Sequence, residues 1–244
     1  MSSCESQVST LKALLSVATL AVANYAFAQT SIILDDFNAS EGHFNLQPTF
    51  SGSTVGLLTT STADRVNTPP PLLEGTYFER LVLNTNGAAS IRVRFLSGGG
   101  SAGGNTLIPT SAGTDGWIGF YARTTNTGWN AQIWLENAGN NGSTPKEVPP
   151  DGEWHLLEWN LDDTSGGADG WGGVAGIVDG SATVADGNHT IDSILFRNAA
   201  ITDGTHVIDM DFVAVNRDGS VALLISEPCR STPTVAIDSG PLEV

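Results

Sequence analysis

The residues best suited to chemistry lie between Gly116 and Leu161, in three segments that share one alternating pattern. In Gly116–Arg123, Ile118, Phe120 and Ala122 oppose Trp117, Tyr121 and Arg123. In Trp129–Asn137, Ala131, Ile133 and Leu135 oppose Gln132, Trp134 and Glu136. In Trp154–Leu161, Leu157, Trp159 and Leu161 oppose Glu158 and Asn160. Side chains alternate along a strand, so each segment has an apolar face to bury and a second face of aromatic and polar groups. Sugars stack their CH faces on aromatic rings, while amides and charges take the hydroxyls. Trp117, Tyr121, Arg123, Gln132, Trp134, Glu136 and Glu158 are therefore expected to form one glycan-binding face. Two other chemistries use the same stretch. Glu136 and Glu158 could form the carboxylate pair of a glycosidase if they stood about 5–10 Å apart on that face. Arg92, Arg94, Gln132 and Tyr121 are parts that a polysaccharide lyase would need.

The elements that must position these residues are strands. Beside the central three, candidates are Ser31–Phe37, Phe44–Phe50, Ser53–Thr60, Tyr77–Leu83, Ser90–Leu96, Thr190–Arg197 and Val207–Val215. No long capped segment repeats apolar residues at three-to-four spacing, so little helix is expected. The 28 glycines and 11 prolines fall between short apolar runs. Regular strands separated by turns predict an all-β, jelly-roll β-sandwich of two antiparallel sheets. Three connections are long: Ser97–Thr114, Asn137–Gly152 and Asp162–Asn188. The first contains a glycine run without the lysine of a phosphate-binding loop and reads as a connector.

Composition sets the outer limits. Residues 13–23 form an apolar run, followed by Ala26-Phe27-Ala28, the pattern of a secretory signal peptide cleaved before Gln29. An 11-residue run is too short to span a bilayer. The domain plan is thus a leader over 1–28, one jelly-roll domain over 29–217 and a C-terminal tail over 218–244 that holds one apolar run, Val221–Ile225, before turning polar; the product is expected to be secreted, periplasmic or held at the cell surface. The net charge of −16 disfavours nucleic acid as a partner. No stretch predicts a membrane span. Without the leader only Cys229 remains of two cysteines, so no internal disulfide can form. The four histidines, His43, His155, His189 and His206, lack metal-ligand spacing, and no Gly-x-Ser-x-Gly elbow occurs.

Four stretches resemble the β-jelly-roll carbohydrate-binding modules of the galactose-binding-like type. Leu34-Asp35-Asp36-Phe37-Asn38 resembles their opening strand and Trp117-Ile118-Gly119-Phe120-Tyr121-Ala122 their middle strand. The stretch from Trp154 to Leu161 resembles the tryptophan-led strand that follows. Ile191–Phe196 with Met210–Val215 resembles the closing pair. The likeness runs from about Leu34 to Val215, broken by the Asp162–Asn188 insertion. It implies a structural calcium where the first and last strands meet, held by Asp36 and Asp211. The residues agree in part, since Met210 and Phe212 facing the core would turn Asp211 outward. Hard oxygen ligands suit calcium. Gln132-Ile133-Trp134 faintly echoes the Gln-Ile-His of alginate lyases, with tryptophan where the histidine belongs.

The resulting expectation is a secreted, non-catalytic protein that binds a polysaccharide. The alternatives are a jelly-roll lyase or glycoside hydrolase, and a structural or adhesive surface protein.

Overall fold

A computed structural model describes residues 31–69, 72–98, 107–110, 116–136, 140–163, 167–171, 187–199 and 203–223. The leader and most of the tail therefore lie outside the described residues, as does most of the Asp162–Asn188 connection.

Among the described residues, twelve strands build two six-stranded antiparallel sheets. Sheet A runs in the order β10 (His155–Asn160), β6 (Trp117–Thr124), β12 (Thr205–Asn216), β3 (Phe78–Asn84), β2 (Thr62–Val66), and β1 (Ser31–Asp35) also pairs with β12. Sheet B runs β4 (Ile91–Leu96), β11 (Gly187–Asn198), β7 (Trp129–Glu136), β8 (Asn140–Gly142). There β5 (Leu107–Thr110) pairs with β11, and β9 (Lys146–Glu147) pairs with β7. The long strands β6, β7, β10, β11 and β12 switch sheet at every step, the habit of a jelly roll. Among the described residues there is no helix, and hence none long and apolar enough to cross a membrane.

The apolar alternation dictates the layering. Ile118, Phe120 and Ala122 of sheet A meet Ala131, Ile133 and Leu135 of sheet B in one buried cluster, joined by Trp159, Phe196, Met210 and Trp129. Phe120 packs edge-on to Phe196 with ring centres 6.2 Å apart, tying the two sheets through their middles. Each large side chain so buried contributes roughly 1.5–3 kcal/mol. The indoles that enter the core keep their N–H groups bonded: Trp159 donates to the Thr144 carbonyl at 2.7 Å and Trp171 to that of Asn160 at 2.9 Å.

Three expectations are corrected. Phe44–Phe50 and Ser53–Thr60 are not strands; the second makes only isolated bridges, Val55 to Arg92 and Leu57 to Thr85. Turns closed by Phe50 on Gln47 and Thr54 on Ser51 interrupt both. Phe212 does not face the core. The register of β12 slips between Asp211 and Ala214, and Phe212 adopts a φ of 49°. That bulge sends Phe212 to the outer face and returns Val213 to the core. The apolar run that opens the C-terminal segment also packs on the domain: Val221 is fully buried against the outer face of sheet A.

Candidate functional site

The seven residues predicted to share one face are divided between two. Trp117, Tyr121 and Arg123 lie on β6 and Glu158 on β10, both in sheet A. Gln132, Trp134 and Glu136 lie on β7 in sheet B. The outer faces of a sandwich point away from each other across layers about 10 Å apart. Alternation holds within each strand, but it cannot say which strands share a sheet. The same division separates Glu136 from Glu158, so they cannot straddle one glycosidic bond.

On sheet A the predicted groups are engaged by the chain itself. Glu158 Oε2 accepts from Ser220 Oγ and from the Val221 amide, both at 2.9 Å. The Tyr121 hydroxyl accepts from the Leu223 amide at 3.0 Å, and burial with nearby Glu158 holds the phenol above its ordinary pKa. Gly119, between Trp117 and Tyr121, leaves room for this approach; a Cβ there would come within 2.7 Å of that of Glu158. Trp117 packs with Trp154 and Leu156 around Tyr121, Phe212 and Val221. Arg123 is buried and donates to Asp209 at 2.8 Å and to the Pro69 carbonyl at 2.9 Å. Arg80 completes the row, its Nε and NH2 nitrogens reaching the two Asp209 oxygens at 2.7 and 2.8 Å. β12 stands between β6 and β3, so the register Arg123, Asp209, Arg80 places one carboxylate between two guanidiniums. A pocket of about 250 Å³ opens beside this row, lined also by Pro69, Thr125 and Val207. Asp209 is not recognisable from the sequence, because its partners come from strands far apart in the chain.

On sheet B the predicted groups are left wanting. Gln132 donates to the Ser143 carbonyl at 2.6 Å, but its Oε1 has no partner. Trp134 Nε1 and Glu136 Oε2 are likewise buried without a hydrogen bond. Gly142 of β8 lies against the Trp134 ring, where an added Cβ would sit 3.2 Å from it. Trp134 and Gln132 are nearly closed to solvent, at 2% and 1% exposure, and so form the floor of the face. Register places further polar residues beside them. Gln132 neighbours Leu195 and then Arg94; Asn130 neighbours Arg197 and then Arg92. Arg94 is bound bidentately to the buried Asp192 at 2.5 and 3.0 Å. The lyase set is therefore broken as well: Arg94 is committed to Asp192, and Tyr121 stands on the opposite sheet.

The predicted metal ligands lie in an acidic corner. Asp211 is fully buried; its Oδ1 accepts from Phe212, and its Oδ2 has no partner. Burial, with the charges of Glu74, Asp36 and Asp35, pushes its pKa up to about 8. Asp36, half-buried, accepts from the Asn38 amide at 3.0 Å. Glu79, which sequence reasoning missed, points into the sandwich opposite Met210 with both oxygens unpartnered. Burial, then Glu41, Asp64 and Asp35, pushes it to about 9. The guanidinium of Arg65 takes the carbonyls of Phe37 and Asn38. Among the described residues no three His, Cys, Asp or Glu side chains gather closely enough to hold an ion. The Asp211 oxygen without a partner lies in the negative field of Asp35, Asp36 and Glu74.

No family profile and no curated protein matches the sequence. Among solved structures, the chain is similar to a carbohydrate-binding module from the β-sandwich superfamily, described for its promiscuous specificity. The two are 13% identical with a TM-score of 0.40, over 74% of this chain and 60% of that one. It is also similar to an exo-β-agarase, at 9% identity and a TM-score of 0.39, over 75% of this chain and 25% of that one. The chain thus spans well under two thirds of the second structure and somewhat under two thirds of the first. The all-β sandwich rests on this molecule's own strand pairing.

Proposed function

We propose that the protein is an exported, non-catalytic carbohydrate-binding β-sandwich that holds a polysaccharide on the outer face of sheet B. The observation that carries this reading is β7. Gln132, Trp134 and Glu136 are consecutive outward residues of one strand, and each has a buried polar atom without a partner. A buried polar group left unsatisfied costs about 1–3 kcal/mol, so the chain keeps this face polar at a cost to stability; the three atoms are closed to solvent, and a ligand would meet the half-buried groups around them. A polyhydroxylated chain supplies both donors and acceptors. Trp134 and Gln132 make the floor, and the half-buried Asn130, Glu136, Arg92 and Arg197 make the reachable rim.

The same reading includes a calcium ion at Asp36 and Asp211, supported by the unpartnered Asp211 oxygen and the carboxylates around it. When bound, the ion would tie the opening of the chain to its closing strand. Export is supported by the apolar run and the Ala26-Phe27-Ala28 triplet. Absence of catalysis is supported by the division of Glu136 from Glu158 and the commitment of Arg94 to Asp192.

A glycan array run beside reducing-sugar and unsaturated-product assays tests it. Binding without product is expected, with Kd values of about micromolar to millimolar for a flexible ligand. Glu136→Gln should weaken binding about 5–10-fold, the worth of about one hydrogen bond. Glu158→Gln, on the opposite sheet, should leave affinity unchanged. Product formation lost in Arg94→Ala would transfer the case to an enzyme. Neither binding nor product across a broad panel would favour an adhesive or structural role.

A further inference from the structure

Five arginines line the outer faces of the two sheets, and three of them meet a carboxylate: Arg80 and Arg123 share Asp209, and Arg94 holds Asp192. Arg92 and Arg197 do not. They stand directly opposite each other on β4 and β11, and neither is in an ion pair among the described residues. Like charges placed opposite on neighbouring strands destabilise a sheet. Such a pair is all the more notable in a chain of net charge −16, where carboxylates are plentiful. Arg92 is anchored through its Nε to the Ser53 carbonyl at 2.8 Å, which leaves its terminal nitrogens unspent. The closest acid in register is Glu147, which lies beyond Asn130 at the far end of the same row. Burial, and then the charge of Arg197, lowers the pKa of Arg92, yet a guanidinium stays protonated.

The pair lines a pocket of about 230 Å³ whose other walls are Val55, Ser90, Ile91, Asn198 and Ala199. That is smaller than the 300 Å³ or more that encloses a whole small ligand, so it fits a subsite. Val55 beside it is 44% exposed, giving the charged floor an apolar lip.

We propose that Arg92 and Arg197 form an anion subsite that takes the carboxylate or sulfate substituent of an acidic polysaccharide lying on sheet B. The proposal rests on the carbohydrate reading above and adds the substrate class. Two guanidinium forks converging on one pocket match the planar oxygens of a carboxylate or the oxygens of a sulfate ester. The acidity of the remaining surface works against polyanions that do not reach the pair, including the regular phosphates of nucleic acid.

The test compares polygalacturonate, its methyl ester, κ-carrageenan and agarose as ligands, with inorganic phosphate and free galacturonate as competitors. At least one acidic polymer should bind ten-fold or more tighter than its uncharged counterpart, and whether that is polygalacturonate or carrageenan identifies carboxylate or sulfate. Arg197→Gln should remove that preference while raising the melting temperature, because it relieves the repulsion. Arg92→Gln should remove the preference too. If charged and uncharged polymers bind alike and Arg197→Gln changes neither, the subsite falls while the carbohydrate reading stands. If no polysaccharide binds, both fall. A melting temperature that drops in Arg197→Gln would make the arginine structural and overturn the subsite. Equal protection by phosphate alone would overturn its assignment to a glycan.

Discussion

At the scale of single residues, the informative feature is where carboxylates have partners and where they lack them. Asp209 accepts from both Arg80 and Arg123 in a largely buried setting. Removing one member of such a buried set typically costs about 3–5 kcal/mol. Asp209→Ala should therefore lower the urea midpoint severely, whereas Tyr121→Phe, which loses one hydrogen bond, should cost about 1 kcal/mol. Glu79 and Asp211 present the opposite case, with pKa values pushed to about 9 and about 8. A raised carboxylate pKa means the folded state holds protons that the unfolded chain has released. That stability is complete below about pH 4 and drains away as pH climbs through the folded values. In chelator, urea midpoints should fall steadily from pH 5 to pH 9, and Glu79→Gln should flatten much of the slope. A midpoint that rises over this range would contradict the assignment of both groups.

At the scale of elements, β12 and the segment after it matter most. The bulge at Phe212 moves that ring outward to join Tyr121 and Val221, and Glu158 and Tyr121 then fasten residues 220–223 over sheet A. Truncation after Asn216 should uncover this apolar patch, raise binding of a hydrophobic dye and lower the melting temperature. Much of this level was legible in the sequence. Two-residue periodicity located β3, β4, β6, β7, β10, β11 and β12 nearly to their ends, because each carries several large apolar groups on one side. β2 was missed because Ala63 is its one buried apolar residue. β8 was missed because its three residues, Asn-Asn-Gly, read as a loop, although Gly142 is what lets the chain lie on Trp134.

At the scale of the whole molecule, the sandwich follows from alternation, but the binding face does not. Which strands share a sheet depends on long-range pairing, and no local pattern near Trp117 or Trp134 records it. Arg197 ends the expected strand Thr190–Arg197, yet its opposition to Arg92 is visible only in the register. The proposed calcium would act at this scale as well, since Asp36 and Asp211 come from opposite ends of the described domain. Adding calcium should raise the melting temperature by mass action and chelator should lower it. Asp211→Ala should erase the difference; a curve indifferent to both treatments would exclude the ion.

The order of strands in sheet A bears on when the molecule can fold. β12 lies between β6 and β3, which are not hydrogen-bonded to each other, and it also carries β1. A nascent chain that has not yet delivered Thr205–Asn216 has two halves of a sheet and nothing to join them. Sheet A therefore closes late, by contacts distant in sequence, and such closures are slow. Until that strand arrives, the apolar faces of β6 and β3 have no common sheet to close against.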